Sequence, residues 1–287
     1  MKMCIFAELN KETEYMKAIR RILMIMAASL MLAACGTTST VPITGRKHTL
    51  LVDDAQVLSL SKQQYGETMK KLTLSKNATN TAMVKRVGQR LATAVETFLK
   101  ANGGANELKY YEWEFNLVQS NSVNAFCMPG GKIVVYEGMI PVAQDEASLA
   151  IVLGHEVAHA VAKHSAEQLS NQIRQQYGAQ IIGSVLNATA GQNTAALASL
   201  IAQTGLSFAN MKYSRDNETE ADRIGLIFAA MAGYDPQVAL SFWQRMAASS
   251  TTKTAEIFSD HPSDENRIAT IKKYLPEAMK YYNKAKK

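Results

Sequence analysis

The chain has 287 residues, of which 47% are hydrophobic and 20% are charged, and its formal net charge is +6 at pH 7. This balance is typical of a globular domain and excludes a disordered chain and a membrane protein with many spans. The positive charge is not clustered in a patch interleaved with aromatic residues, so nucleic acid is not expected as a partner.

The first predicted element is a leader peptide. Residues 16–21 are largely basic, and residues 22–32 form an apolar run with the length of a signal-peptide core. The run leads into Leu-Ala-Ala-Cys at residues 32–35, which resembles the lipobox of bacterial lipoproteins. Residues 1–15 are charged and unlike the start of a signal peptide. A buried N-terminal helix is the alternative interpretation of this region.

We therefore expect translation to start at Met16, residues 1–34 to be removed, and a lipid to be attached to Cys35. Residues 35–50 are then predicted to be a lipidated tether that begins with a polar, flexible spacer. Gly36 after the lipidated cysteine favours the outer membrane of a Gram-negative bacterium, with the protein on the periplasmic face. No later stretch contains the roughly 18 consecutive apolar residues of a spanning helix, so the lipid is the expected anchor.

Residues 51–287 are predicted to form one α+β domain that is mostly helical around a small sheet. Asp53 is expected to cap the first helix, and Thr79 or Asn80 to open the second. Cys127 is alone in this domain, which excludes an internal disulfide and favours a small buried side chain. The later elements are predicted as strands at 111–117 and 133–136, a helix from Asp145 through His164, Ala/Gln-rich helices near 166–187 and 193–210, and helices near 216–232, 236–249 and 264–275. The Ala/Gln-rich segments are either a lid over a cleft or ordinary packing helices.

The predicted helix from Asp145 carries a candidate metal site. The sequence Gly-His-Glu-Val-Ala-His at residues 154–159 places His155 and His159 on one helical face, where both imidazoles can bind one ion. Glu156 lies beside the pair, where a carboxylate can take a proton from a metal-activated water. The helix is apolar nearly all round, and buried polar side chains need partners such as a metal ion. Two surface histidines on an amphipathic helix are the alternative.

A catalytic zinc site needs a third protein ligand and an open position. His164 is the next histidine, but nine residues of helix turn it about 180° away from His155, so we expect it to point away from the ion. Glu218 is the predicted third ligand, and Asp222, on the same helical face, is the predicted acceptor for the free N–H of a ligating histidine. Glu220 is expected to project elsewhere. A solvated acidic first turn of a helix is the alternative for these carboxylates.

Four motifs follow one another along the chain. They are Asn124-Ala125-Phe126-x-x-Pro129-Gly130-Gly131-x-Ile133-x-Val135-x-x-Gly138, Gly154-His155-Glu156-Val157-Ala158-His159, Ser214-Arg215-x-x-Glu218-x-x-Ala221-Asp222 and His261-Pro262-x-x-x-x-Arg267-Ile268. With these motifs, from about residue 50 to residue 275, the chain resembles the zinc metallopeptidases typified by HtpX, the CAAX prenyl proteases, and the periplasmic lipoprotein and BepA-type quality-control proteases. It differs from the integral-membrane members by lacking their spanning helices, and from the BepA type by lacking a helical repeat array.

The resemblance implies a gluzincin-like fold with one zinc ion per chain, bound by His155, His159 and Glu218. It also implies hydrolysis of peptide bonds with Glu156 as general base. The resemblance favours a place near the metal for His261, which is an oxyanion donor, a removable fourth ligand or a helix-entry residue. Two further candidates for the oxyanion donor are Arg215 and Tyr213. The sequence does not rank these two against His261.

Substrate is predicted to bind along a sheet edge. If residues 122–126 form an exposed edge, an extended polypeptide can add there as a strand beside Asn124, Ala125 and Phe126. A plain structural hairpin is the alternative. The function we expect is endoproteolysis of unfolded or misassembled cell-envelope proteins, with envelope assembly proteins as possible partners. A chaperone or assembly factor with a shielded zinc site and a zinc hydrolase of non-peptide amides are the rival functions.

Overall fold

The computed structural model describes residues 37–175, 199, 201, 205–249 and 267–286. Several predictions concern residues outside these ranges, namely the leader, the start at Met16, lipidation of Cys35, the place of His261 and most of the Ala/Gln-rich segments. The α+β prediction is confirmed, because helices surround a small sheet. None of the described helices is both long enough and apolar enough to cross a membrane.

The described elements follow one another as helices interrupted by two small sheets. The strands are β1 (Thr37–Thr40), β2 (Lys47–Leu50), β3 (Glu114–Val118), β4 (Ala125–Met128) and β5 (Lys132–Tyr136). The helices are α1 (Asp54–Lys71), α2 (Ala78–Ala101), α3 (Ile140–Ala143), α4 (Glu146–Val161), α5 (Arg215–Met231), α6 (Val238–Ser249) and α7 (Arg267–Ala285). Residues 164–175 are also helical.

The larger sheet has the strand order β3-β5-β4, with β5 parallel to β3 and antiparallel to β4. β3 begins at Glu114 and not near Tyr111, because Ala105–Tyr110 forms a 3-10 helix immediately before it. The edge strand predicted at 122–126 is present as β4, shifted toward Met128, but its four residues are buried and not exposed as predicted. β4 packs against α4, so the edge of the sheet lies beside the helix that carries both histidines.

Helix ends follow the capping rules, with two departures from the predictions. Asp53 caps α1 by accepting a hydrogen bond from the backbone N–H of Gln56, as predicted. Asn77, and not Thr79 or Asn80, caps α2.

The second departure is that α4 ends at Val161 and not at His164. Lys163 has a φ of 56°, in the left-handed region that a right-handed helix excludes. A new helical segment therefore starts at His164.

Residues 37–50 form a β-hairpin, which corrects the prediction of a flexible tether. β1 and β2 pair in antiparallel fashion, with Thr37 opposite Leu50. Val41 and Leu50 are only 1% and 5% exposed and join the hydrophobic core. The polar composition at the start of the segment suggested a spacer, but burial of these two apolar side chains fixes the hairpin on the domain.

α4 and α5 cross at two glycines. A Cβ atom on Gly154 would lie 2.8 Å from the carbonyl oxygen of Gly225, and one on Gly225 would lie 2.7 Å from the backbone nitrogen of His155. The two helices therefore approach more closely than any side chain larger than hydrogen allows. This close approach brings the acidic first half of α5 beside the histidines of α4.

Candidate active site

Three buried side chains from α4 and α5 form one group of potential metal ligands. Nε2 of His155 lies 3.1 Å from Nε2 of His159. Oε2 of Glu218 lies 3.3 Å from Nε2 of His155, and Oε1 of Glu218 lies 3.3 Å from Nε2 of His159. Among the residues that the structure describes, these three make up the His/Cys/Asp/Glu group with the geometry to hold an ion.

The donor atoms fit a zinc ion. Bonds of about 2.0–2.1 Å in a tetrahedral site place ligand atoms about 3.3 Å apart, and the separations here are 3.1–3.3 Å. Two imidazole nitrogens and one carboxylate oxygen are a ligand set of catalytic zinc, and they leave a fourth position for water or substrate. The residues present therefore suit the predicted metal.

The charges around the two histidines favour a cation between them. Burial works against a protonated His155, but Glu218 and Asp222 outweigh it and raise the pKa of His155 to about 9. Burial lowers the pKa of His159 well below its usual value, even though Glu218 opposes the shift. The carboxylates thus make the space between the imidazoles attractive to positive charge, while His159 stays neutral and able to bind a metal ion.

His155 is supported directly by a carboxylate and an arginine. Nδ1 of His155 lies 2.8 Å from Oδ1 of Asp222, the predicted acceptor. Nε of Arg267, at the start of α7, donates to Oδ2 of Asp222 at 2.8 Å, and its Nη2 donates to Oε2 of Glu218 at 3.0 Å. Burial works against the charge on Asp222, but Arg267 and His155 hold the pKa of its carboxyl below the usual value. The guanidinium also lies 3.8 Å from the ring centroid of Trp243.

His159 is supported through a second histidine. Nδ1 of His164 lies 2.9 Å from Nδ1 of His159, and Nε2 of His164 lies 3.0 Å from Oε2 of Glu220. The prediction that His164 points away from the metal site is wrong. It assumed that α4 continues, whereas the left-handed Lys163 ends the helix and turns His164 toward His159. Glu220 faces His164, away from the ligand Glu218, as the helical spacing indicated.

Glu156, the predicted general base, is buried in α4, the helix that packs against β4. Burial raises the pKa of the Cys127 thiol in β4, and the charge of Glu156 adds to this shift. Burial also raises the pKa of Tyr213, with a smaller contribution from Glu156. The carboxylate is therefore close enough to the sheet edge and to Tyr213 for its charge to act on both.

The three candidate oxyanion donors have different places. The ring of Tyr213 stacks on His159 at 4.0 Å between centroids, and its hydroxyl lies 2.8 Å from Oγ of Ser165. Arg215 is exposed at the first position of α5. His261 lies outside the described residues, so its three alternative roles stay predictions.

The predicted substrate-binding residues lie at the start of β4. Oδ1 of Asn124 accepts a hydrogen bond from the backbone N–H of Ala125 at 2.8 Å, and its backbone oxygen accepts one from Tyr136 at 3.0 Å. Phe126 is buried in a separate hydrophobic cluster, with Met128 and Val134, on the side of the sheet away from Ala125. Within the described residues, β4 has a strand neighbour on one side.

Sequence reasoning missed the partners that come from other parts of the chain. Arg267 was quoted within a motif but given no role, although it contacts two of the site carboxylates. His164 was assigned to a separate face, and Arg46 was not considered. The spacing of five residues between His159 and His164 was the available signal, together with two acidic residues at alternate positions, Glu218 and Glu220.

Comparison with known proteins identifies a peptidase family and several similar peptidases. The family described as "Peptidase family M48" matches residues 78–275. The mitochondrial metalloendopeptidase OMA1 of Schizosaccharomyces pombe is 35% identical over 219 residues, covering 75% of this chain and 58% of that protein. Human mitochondrial metalloendopeptidase OMA1 is 31% identical over 245 residues, covering 83% and 46%. The beta-barrel assembly-enhancing protease of Escherichia coli is 30% identical over 171 residues, covering 58% and 34%. The matches thus cover 34–58% of the length of these relatives.

Proposed function

Because the chain belongs to peptidase family M48, we propose that it is a zinc-dependent endopeptidase. His155, His159 and Glu218 would hold the ion, and Glu156 would serve as general base. The observation that carries the proposal is the convergence of three buried ligand atoms 3.1–3.3 Å apart, next to a buried glutamate. The names of the relatives, which include metalloendopeptidases and an assembly-enhancing protease, support the same reaction class.

The chain's own residues divide the work of peptide hydrolysis. A zinc ion at this site would polarise the scissile carbonyl and lower the pKa of the attacking water to about 7. Glu156 accepts the proton of the attacking water and delivers it to the leaving amine. Asp222 and His164 hold the two ligand imidazoles in the tautomer that keeps each Nε2 free of a proton. The stacked ring of Tyr213 restricts rotation of His159.

The proposed substrate is an extended or unfolded polypeptide that adds to β4. Main-chain hydrogen bonds to a sheet edge recognise backbone more than side chains, which suits a peptidase that removes unfolded or misassembled proteins. The packing of β4 against α4, the helix that carries both histidines, supports placing the scissile bond beside this strand. Envelope proteins are the proposed class, and the name of the Escherichia coli relative, a beta-barrel assembly-enhancing protease, supports a role in protein assembly.

We also propose that residues 1–34 contain a signal peptide that starts at Met16, and that Cys35 carries the lipid that anchors the protein at the periplasmic face of the outer membrane. The lipobox at residues 32–35, preceded by a basic stretch and an apolar run, supports this. Mass spectrometry of the purified protein should find a diacylated residue Cys35 at the mature N-terminus. A mature protein that retains residues upstream of Cys35 would contradict the assignment.

Proteolysis of casein tests the enzymatic proposal. The zinc-loaded protein is compared with its Glu156→Gln variant, and zinc content is measured on both. We expect the native protein to cleave casein and the variant to lose cleavage at unchanged zinc content, since general acid–base catalysis contributes about 10²–10⁴-fold. Zinc in both proteins with equal cleavage would refute the role of Glu156. The absence of zinc from both would refute the metal site itself.

A further inference from the structure

The loop of the N-terminal hairpin reaches the support of His159. The hydroxyl of Thr44 donates to Oε1 of Glu220, and Nε of Arg46 donates to Oε2 of Glu220 at 2.7 Å. Glu220 is the residue that accepts from His164. The carboxylate of Glu220 is therefore held between the hairpin and His164.

The hydrogen-bond directions along this path follow from the chemistry of the donors. If His159 binds a metal through Nε2, its proton must reside on Nδ1, which then donates to Nδ1 of His164. Because Nδ1 of His164 accepts that bond, the proton of a neutral His164 lies on Nε2, which faces Glu220. That proton is donated to Oε2 of Glu220, which also accepts from Arg46. Every donor and acceptor from His159 to Arg46 thus agrees with metal binding at Nε2.

A second path joins the same arginine to the start of α5. Both Nη atoms of Arg46 donate to Glu167 at 2.7 Å. Oε2 of Glu167 accepts from Nδ2 of Asn217 at 3.2 Å, and Asn217 forms the capping box of α5 with Ser214. The residue after Asn217 is the ligand Glu218. Arg46 therefore contacts the carboxylate behind His159 and the carboxylate that fixes the helix end carrying the third ligand.

We propose that the β1–β2 hairpin, residues 37–50, is a structural part of the metal site and that Arg46 is a positioning residue for His159. By fixing Glu220, Arg46 fixes His164, and His164 holds the ring and tautomer of His159 that bind the ion. The inference rests on the zinc site of the proposed function. It means that the affinity for zinc depends on a segment that begins two residues after the predicted lipid anchor.

The test is the zinc dissociation constant of the full-length protein, measured by competition with a chelator at constant pH. We expect Arg46→Met and Glu220→Gln each to raise it about tenfold, the lower end of the effect of losing an outer partner of a ligand. Arg46→Lys should recover part of the lost zinc affinity, because it restores a positive charge beside Glu220 without the two hydrogen bonds to Glu167.

Arg223→Met is the matched control. Arg223 is a partly exposed arginine of α5 that pairs with Glu277 through two bonds of 2.8 and 2.9 Å, as Arg46 pairs with Glu167. We expect this control to bind zinc as the native protein does, at a comparable cost in the melting temperature of the zinc-free form. Equal zinc affinities in Arg46→Met, Glu220→Gln and the native protein would overturn the inference and leave the proposed function intact. A native protein that binds no zinc would instead overturn the proposed function.

Discussion

His155 and His159 lie one helical turn apart, yet the side chains behind them come from different parts of the chain. Asp222 of α5 contacts His155 directly, and Arg267 of α7 contacts Asp222. Behind His159, a second histidine stands between the ligand and its carboxylate, and the arginine comes from the N-terminal hairpin. Both paths end in a carboxylate paired with an arginine. Each histidine is therefore backed by a carboxylate–arginine pair. Behind His155 the arginine comes from α7, and behind His159 it comes from the N-terminal hairpin, far away in sequence.

The two arginines differ in their surroundings. The side chain of Arg267 is 6% exposed, and that of Arg46 is 34% exposed. A charge pair loses strength with exposure to water, so the path behind His155 should contribute more to stability than the path behind His159. The stacking of Arg267 over Trp243 adds a favourable contact that Arg46 lacks among the described aromatic pairs. We therefore expect substitution of Arg267 to reduce the free energy of unfolding more than substitution of Arg46 does.

The largest expected effect is that of Arg267→Ala. This change leaves Asp222 and Glu218 buried without the guanidinium, and removal of one partner from a buried ion pair costs about 3–5 kcal/mol. Arg46→Ala should cost about 1 kcal/mol or less, as partly exposed pairs do. Urea unfolding of the zinc-free proteins measures both free energies. Equal losses in the two variants would contradict the difference that the burial of the two arginines predicts.

Asp222→Asn should have the next largest effect, on zinc affinity. An asparagine has an NH2 group in place of one of the two carboxylate oxygens, and this group must face either Nε of Arg267, which is itself a donor, or Nδ1 of His155. Facing His155, it would require the tautomer with the proton on Nε2. We expect the zinc dissociation constant to rise by up to about 100-fold, the upper end of the effect of losing an outer partner. Glu220→Gln, one imidazole further from the metal, should lose less.

The same chelator competition measures both variants, with Glu277→Gln as a control whose carboxylate pairs with Arg223 away from the metal site. If Asp222→Asn lost no more zinc affinity than Glu220→Gln, direct contact with a ligand histidine would not determine how much zinc affinity is lost. The comparison between the two paths would then rest on burial alone.

The parts of the site that lie within one helix were predictable from the sequence. The period of 3.6 residues per turn places His155 and His159 on one face of α4, and it places Glu218 and Asp222 on one face of α5. The structure brings these four side chains together because Gly154 and Gly225 let the helices touch. Periodicity alone does not predict which two helices meet, so that step depended on the need of a catalytic zinc for a third ligand, with which the family resemblance agrees.

The parts that depend on an irregular backbone were not predictable in the same way. The position of His164 is set by Lys163, a non-glycine residue in the left-handed region, which no propensity rule anticipates. The hairpin was mistaken for a tether because its threonine-rich start is polar, and the burial of Val41 depends on the domain beneath it. Contacts from Arg46 to Glu220 join residues 174 positions apart, beyond the range of any local pattern.

The smallest expected effect is that of Thr44→Val, which keeps the shape of the side chain and removes the two hydrogen bonds of the Thr44 hydroxyl. The hydroxyl donates to Glu220 and accepts a long bond of 3.4 Å from the backbone N–H of Arg46. Thr44 is the partner of Oε1 of Glu220, whereas Arg46 and His164 both contact Oε2. The variant should therefore lose about 1 kcal/mol of stability and keep a zinc dissociation constant within about threefold of the native value, well below the effect of a lost outer partner.

Thr38→Val, an exposed change on β1 of the same hairpin, controls for the swap of threonine for valine. Melting temperature and chelator competition on both variants complete the comparison. Only Oε2 of Glu220 contacts His164, which in turn contacts His159. If Thr44→Val lost as much zinc affinity as Arg46→Met, the contact of the whole hairpin with Glu220, and not the path through His164, would control the zinc affinity.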